Sequence, residues 1–383
     1  VREGWVIKEL GDVCRVVGGG TPPKDREDFY KGSIPWATVR DMRQDIISDT
    51  EFKITELAVK SSSTNVIPAN SVVIATRVGL GKICFVERDT AINQDLRGIL
   101  PIRPKELSAH FLFWWFKSVA HLIEQEGTGA TVQGVKLPFI KSLQVPLPPL
   151  REQKRIIAIL DEAFQGIDAA IANAERNLAN VRELFEVRLQ RVSGGLEPLG
   201  DLVEIRTGKL DANAAVEGGR YPFFTCAKEV YAIDTFSFDC EAILLAGNNA
   251  VGDFNVKHYK GKFNAYQRTY VITVNSITRV NYRFLYFQMM RNLKELKGQS
   301  IGTGTKFLKI GMIKDIAIPL PTLPEQEQIA AALDAQLEQT ERLQAIYRLK
   351  LDALRDLKQA ILRRAFAGEL TAQPKNVLEE AAA

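Results

Sequence analysis

A chain of 383 residues is too long for one ordinary hydrophobic core and suits two or more domains. Its 46% hydrophobic and 25% charged residues are typical of a globular protein; with no run of eighteen apolar residues and no basic-then-apolar leader, the expectation is a cytoplasmic protein, neither membrane-spanning nor secreted. The net charge of +4 does not by itself announce a nucleic-acid binder, and four scattered cysteines without a CxxC pair fit reduced, structural thiols.

In chain order, Trp5 to Cys14 reads as a short element running into a strand over 13–17, which ends at Gly18-Gly-Gly-Thr-Pro-Pro23. Three glycines and two prolines can continue neither helix nor strand, so a loop with accessible backbone follows. Ile34-Pro-Trp-Ala-Thr38 comes next, and then a mixed segment to Pro68. The run Ser71-Val-Val-Ile-Ala-Thr76 has the pattern of a buried strand and leads through Arg77-Val-Gly-Leu-Gly-Lys82 into a second, 83–86, with another strand edge at 91–96. From Ser108 to Glu124 the apolar spacing predicts a helix, with Phe111, Trp114, Trp115, Val119 and Leu122 on one broad face. Gly127 to Thr131 breaks it, and 137–145 is expected to return as a strand before the prolines at 146, 148 and 149.

A long helix follows. Leu160, Phe164, Ile167, Ile171, Ala174, Leu178, Val181 and Phe185 recur at alternating steps of four and three, a heptad seam made to pack along another long helix. The partner lies 173 residues further on, in the same register: Leu333, Leu337, Thr340, Gln344, Tyr347, Leu351, Leu354 and Lys358. The flanks repeat too, Val145-Pro-Leu-Pro-Pro-Leu-Arg-Glu-Gln153 matching Ile318-Pro-Leu-Pro-Thr-Leu-Pro-Glu-Gln326.

Residues 196–323 replay the first domain. Leu199-Gly-Asp-Leu202 answers Leu10-Gly-Asp-Val13, Tyr221-Pro-Phe-Phe-Thr225 answers Ile34-Pro-Trp-Ala-Thr38, and Asn264-Ala-Tyr-Gln267 answers Ala91-Ile-Asn-Gln94. Drift in the offset places an insertion of about sixteen residues in the first copy, between Asp41 and Ser71. The expected organisation is therefore α+β: mixed α/β domains at 1–150 and 196–323, long helices at 151–195 and 324–370, and a tail at 371–383. The simplest arrangement pairs the helices antiparallel about a pseudo-two-fold axis, as a spacer roughly 60 Å long at about 1.5 Å per residue. Any basic excess belongs to the globular segments, where Lys and Arg outnumber Asp and Glu by 19 to 17 and by 16 to 12.

No catalytic constellation holds together. His110, His121 and His258 have no metal-ligand spacing; Gly79-Leu-Gly-Lys82 and Gly302-Thr-Gly-Thr-Lys306 lack the spacing of a phosphate-binding loop; Glu51-Phe-Lys53 lacks the upstream Pro-Asp pair of a nuclease. What remains is loop chemistry suited to DNA, because Arg and Lys donate to guanine or phosphate, Asn and Gln bridge adenine, and Thr holds phosphate oxygens. The first copy offers Thr21, Lys24, Thr38, Arg40, Arg77, Lys82, Asn93, Gln94, Thr128, Thr131 and Lys136. The second offers Lys209, Thr225, Lys228, Asn248, Asn249, Lys257, His258, Lys262, Gln267, Arg268, Thr303, Thr305 and Lys306. Identical readers about a dyad would recognise a palindrome, whereas these unlike readers would recognise two different half-sites.

Gly19-Gly-Thr-Pro-Pro23, Ile34-Pro-Trp36, Ala91-Ile-Asn-Gln94, Pro146-Leu-Pro-Pro-Leu-Arg-Glu-Gln-Lys-Arg-Ile156 and Phe366-Ala-Gly-Glu-Leu-Thr371 together resemble the DNA-specificity subunit of type I restriction-modification systems. The resemblance implies two target-recognition domains, two spacer helices, a bipartite asymmetric DNA site and no catalytic activity in this chain. It also implies two docked methyltransferase subunits and a restriction-translocase subunit, with S-adenosylmethionine, ATP and Mg on those partners. The second repeat departs from the pattern at Asn264-Ala-Tyr-Gln267 and at the shortened loop Thr207-Gly-Lys209. Two other readings stay open at this point: the specificity chain of a split type II enzyme, and a coiled-coil scaffold that binds no DNA.

Overall fold

The computed structural model of the chain describes residues 4–127 and 134–371. It divides into two compact units, one made of the residues up to Asn173 together with those from Lys350 onward, the other of Ala174–Leu349.

In the first unit, a five-stranded sheet runs in the order Cys14–Gly18, Leu96–Pro101, Ser71–Ala75, Ile83–Val86, Ile46–Ile47. The strand Ser71–Ala75 is buried along its whole length because both of its faces are covered. Val72 and Ile74 pack with Phe111, Leu112, Trp115 and Phe116 of the helix Ala109–Glu126, while Val73 and Ala75 join Ala37, Ile67, Cys84 and Ile92 on the other face. Strand alternation thus feeds two cores from one apolar run. A second sheet orders Phe52–Ile54, Ile34–Ala37, Thr90–Ile92 and Asn65–Ile67, with Ile34–Ala37 parallel to Thr90–Ile92.

The second unit repeats this plan in one six-stranded sheet: Val203–Thr207, Thr269–Val274, Phe238–Ala246, Val256–Ala265, Tyr221–Phe224, Tyr231–Ile233. Ile243 and Leu245 pack with Phe284, Leu285 and Met289 of the helix Tyr282–Gln299; Ala242 and Leu244 face Phe224, Phe263 and Val271. One difference explains why one sheet answers two. The continuous strand Val256–Ala265 corresponds, at an offset of 173, to Ile83–Val86 plus Thr90–Ile92, which part at Glu87–Asp89. Where the first copy breaks, the second carries Gly261 at φ 134°, a backbone angle that glycine tolerates and other residues do not. Between Asp41 and Ser71 the first copy carries the extra helix Glu56–Lys60, and its strand Asn65–Ile67 pairs with Thr90–Ile92 where Phe238 pairs with Phe263 in the second copy.

The two long helices are Leu150–Gln190 and Leu323–Ala367. In the first unit Leu160, Phe164 and Ile167 are buried with Leu362, Ala365 and Phe366, and Lys358 Nζ lies 2.6 Å from Asp168 Oδ1. The second unit buries Phe185 and Leu189 with Leu333 and Phe287. In each unit, then, the beginning of one helix lies along the end of the other, which is antiparallel pairing with the heptad positions inward. Each helix is also tied to its own domain at an equivalent place. Trp114 Nε1 donates to Asp161 Oδ1 at 2.8 Å in the first unit, and Arg283 Nε donates to Asp334 Oδ1 at 2.6 Å in the second.

Two expectations change. Residues Leu137–Ser142 form a short helix, and the strand expected from 137 begins only at Gln144, running Gln144–Leu147 against Val6–Glu9. A four-residue apolar run, Leu137–Ile140, does not distinguish the two periods, and Pro138 is comfortable in a first helical turn, where its missing N–H has no partner to lose. The strand expected over 13–17 starts at Cys14, because Leu10–Val13 closes a helical turn, as Leu199–Leu202 does in the second copy.

Candidate nucleic-acid interface

The candidate loops are held on a backbone frame that both units share. In the first, Gly20 N donates to Ile92 O (3.0 Å), Asn93 N to Ala37 O (3.0 Å) and Thr76 N to Asp95 O (2.8 Å). Trp36 Nε1 closes the frame by donating to Gly20 O at 3.2 Å, and Thr21 bonds Gln94. In the second, Tyr266 N donates to Phe224 O, Gln267 N to Leu210 O and Gly247 N to Arg268 O, each at 2.9 Å. The loops approach so closely that a Cβ on Gly19 would stand 2.0 Å from Asn93 O, and one on Gly208 1.9 Å from Ala265 O. Only glycine fits either position.

This frame gathers three sequence-distant motifs of the first unit around a cleft of about 610 Å³, lined by Thr21, Lys24, Thr38, Arg40, Asn93 and Gln94 together with Tyr30, Trp36, Phe52 and Asp95. Six of the candidate residues therefore share one concavity. Arg77 stands beside it through Asp95, 3.7 Å away, and Lys82 lies next to Gly79, which packs on Val39 of the cleft wall. Lys136 is exposed and precedes the helix Leu137–Ser142. Thr128 and Thr131 lie outside the described residues.

Within the cleft the side chains differ in how free they are. Asn93 is buried, its amide donating to Asp95 Oδ2 at 3.0 Å and its carbonyl accepting from Asp95 N at 3.1 Å, so it builds the turn. Thr38 is held through both N and Oγ1 by Asp41 Oδ2, at 2.7 and 2.9 Å, and Arg40 is 3.8 Å from Glu51. Lys24, Lys82 and Lys136 are exposed and have no ion pair or side-chain hydrogen bond among the described residues.

The second unit sorts in the same way. Lys209, Arg268, Thr303 and Thr305 are exposed, and Lys209, Arg268 and the half-buried Lys306 have no ion pair or side-chain hydrogen bond among the described residues. Asn248 is half-buried, while Asn249 Oδ1 accepts from Val251 N and Asp253 N at 2.9 and 3.1 Å and so shapes the loop. Lys228 donates to Asp253 at 2.8 Å, a bond that raises its ammonium above the ordinary range; Lys262 lies over the Phe236 ring at 4.7 Å; Gln267 donates to Asp211 at 2.6 Å. Thr225 is buried, its Oγ1 accepting from Ala227 N at 3.2 Å. Lys257 donates to Ala227 O at 2.7 Å and to Asn255, and burial depresses its pKa. His258, one residue on, faces the opposite side of the strand: its Nε2 is 2.9 Å from Glu241 Oε1, and its ring is stacked over Tyr282. Strand parity places Lys257 among the loops and His258 on the helix-covered face.

The cleft also holds residues that sequence reasoning passed over: Tyr30, Trp36, Phe52 and Asp95. Trp36 is the one with a sequence signal, since it sits in the repeated Ile34-Pro-Trp36 motif and its ring meets Tyr30 and Phe52 edge-on at 5.8 and 6.3 Å. Among the described residues no group of three or more His, Cys, Asp or Glu side chains could hold a metal ion, and no helix is long and apolar enough to cross a membrane. Cys14 and Cys84 are buried, and burial pushes both thiols up to about 12.

A duplicated α/β domain, each copy followed by a long heptad helix, with exposed loop cations and amides on a common backbone frame, defines the class of two-headed specificity proteins. The comparisons place the chain further. The family described as the type I restriction modification DNA specificity domain matches residues 2–177 and 197–349, and the chain belongs to that family. It is 45% identical, over 173 residues, to the type I restriction enzyme EcoDI specificity subunit of Escherichia coli, a match that covers 45% of this chain and 38% of that one. The match to a second Escherichia coli relative, the EcoR124I/EcoR124II specificity subunit, likewise spans 41% of the relative's length. Across nearly the whole of both chains, 97% of this one and 94% of the other, it is 22% identical to the MjaIX specificity subunit of Methanocaldococcus jannaschii. A chain solved in work on complex assembly and conformational transition of the type I R-M system superposes with a TM-score of 0.76 at 19% identity, covering 96% and 99% of the two chains, a likeness of fold. These relatives are type I proteins, and the type II reading finds no support among them.

Proposed function

We propose that this chain is the non-catalytic DNA-specificity subunit of a type I restriction-modification enzyme and reads a bipartite, asymmetric site. The observation that carries the reading is one backbone frame built twice, with different side chains on it: Thr21, Asn93 and Asp95 in one copy stand where Leu210, Tyr266 and Arg268 stand in the other. Equivalent loops on a shared frame present equivalent surfaces to a duplex, and unlike side chains make the two half-sites unlike. In this reading residues 1–150 and 196–323 are the target-recognition domains, 151–195 and 324–370 the spacer, and 371–383 the tail.

The exposed, unpaired lysines give each domain its grip on phosphates at no cost in broken ion pairs, while the engaged Arg77, Lys228 and Lys257 hold loops in shape. Two methyltransferase subunits dock at the duplicated helix heads, and restriction-translocase subunits join them in the cytoplasm. S-adenosylmethionine, ATP and Mg belong to those partners, and this chain supplies position and sequence.

A salt-series gel shift on specific and scrambled duplexes, with the chain assembled with methyltransferase subunits, tests the reading. Binding should prefer one bipartite sequence and fall linearly in log K against log salt. Equal binding to every duplex would overturn the specificity role, and no binding at all would return the chain to the scaffold reading.

A further inference from the structure

We infer that Arg268 is a base-reading, specificity-determining residue of the second domain and that its target is a guanine. The inference rests on the DNA-reading function proposed above.

The position is structurally defined. Arg268 ends the tight turn that follows the strand Val256–Ala265, and its carbonyl accepts from Gly247 N at 2.9 Å while Thr269 N donates back to Tyr266 O at 2.8 Å. The neighbouring Gln267 N is bonded to Leu210 O. Two separate loops, and a bond within the turn, thus hold its backbone. Its side chain is the opposite case, exposed and without an ion pair or side-chain hydrogen bond among the described residues. A fixed base carrying an uncommitted guanidinium loses little on binding, because no internal pair has to break first.

The first copy shows what this position looks like when it is not available for reading. At the offset of 173, Arg268 answers Asp95, whose carboxylate accepts from Asn93 Nδ2 at 3.0 Å and lies 3.7 Å from Arg77. Acid and base neutralise each other there. In the second copy the residue answering Arg77 is Asn248, so the positions that hold an ion pair in the first copy carry an arginine and an uncharged amide in the second. The planar fork of arginine matches the O6 and N7 acceptors that only guanine presents side by side in the major groove.

The test uses the full chain assembled with methyltransferase subunits and a pool of duplexes randomised at every position, sequenced before and after selection, for wild type, Arg268→Lys and Arg268→Ala. The expected result is that one guanine in one half-site loses its preference by roughly 5- to 150-fold in both variants, while every other position, including the whole of the second half-site, is unchanged. Arg268→Lys keeps the charge and loses the fork, so its salt dependence should stay at the wild-type slope while the guanine preference goes. A sequence preference identical to wild type, with Arg268→Ala merely weaker on all duplexes and shallower in salt, would make Arg268 a phosphate contact and overturn the inference. Failure of the underlying reading is separate and visible in the wild type, which would then enrich no sequence.

Discussion

Gln153 and Gln326, 173 residues apart in sequence, occupy the same hydrogen-bond cage in their respective units. Each side chain is fully buried in the first turns of a long helix. Gln153 Oε1 accepts from Ser108 N at 2.9 Å, and its Nε2 donates to Glu106 O and Pro148 O at 2.7 and 2.9 Å. Gln326 Oε1 accepts from Asn281 N, and its Nε2 donates to Arg279 O and Pro321 O, all at 2.9 Å. One amide thus satisfies three main-chain groups where the start of the helix Ala109–Glu126 or Tyr282–Gln299, the proline-rich exit and the long helix converge, and it does so twice.

Glutamate at either position keeps the shape but cannot donate to two carbonyls. Gln153→Glu and Gln326→Glu should each destabilise the chain by on the order of 2–4 kcal/mol, the cost of leaving buried partners unmet. Because the two cages are in different units, the double variant should lose the sum. Denaturant unfolding checks both; a loss below about 0.5 kcal/mol would mean that the cage is incidental.

The glycines at the heart of the loop frame give a sharper test of locality. Gly19→Ala and Gly208→Ala each drive a methyl into a carbonyl oxygen of the facing strand, at a cost of roughly 1–3 kcal/mol. Each should abolish discrimination at one half-site and leave the other intact, as read by selection from randomised duplexes. Loss of both half-sites from either variant would show that the domains do not read independently.

Lys24, which lines the cleft, and Lys82 in the first copy are exposed and unpaired among the described residues; Lys257 in the second is turned into its own domain. Replacing Lys24 or Lys82 with alanine should lower the slope of log K against log salt by about 0.9 each without changing stability. Lys257→Ala should do the reverse, lowering the melting temperature because Ala227 O and Asn255 lose their donor. Equal effects of all three on the salt slope would contradict the division into gripping and structural lysines.

The repeat, the heptad seams and the helix over Ala109–Glu126 were legible because each rests on a period that a sequence shows directly. The roles of Asn93 and His258 were not. Asn93 and Gln94 look alike as potential adenine readers, yet Asn93 closes a turn onto Asp95 and is buried while Gln94 is exposed. His258 and Lys257 differ by one step along a strand, and that step decides which face each serves. Which parity a strand takes depends on what covers it, and that cover, the helix Tyr282–Gln299, comes from residues well downstream. The cage of Gln326 was hidden for the same reason, since a Glu-Gln pair at a helix start reads as solvated until a second helix is laid against it.

The thiols carry a pH dependence. Burial raises Cys14 and Cys84 from 9.0 to about 12, so their neutral forms are favoured by the fold. Their contribution is complete below pH 9 and is lost as pH rises from 9 towards 12, where the unfolded chain ionises first. Stability measured across that window should fall, and native-state labelling at pH 8 should modify Cys226 and Cys240 well before Cys14 and Cys84. Rapid labelling of all four would contradict the burial.

The most direct measurement inserts one heptad into the middle of each long helix, preserving both seams, and maps the methylated sequence of the assembled enzyme. Seven residues add about 10 Å of helix, about three base pairs of duplex. A gap between half-sites lengthened by that amount, with the bases of both half-sites unchanged, is the expected result. An unchanged gap with altered half-sites would contradict a protein whose domains read and whose helices measure.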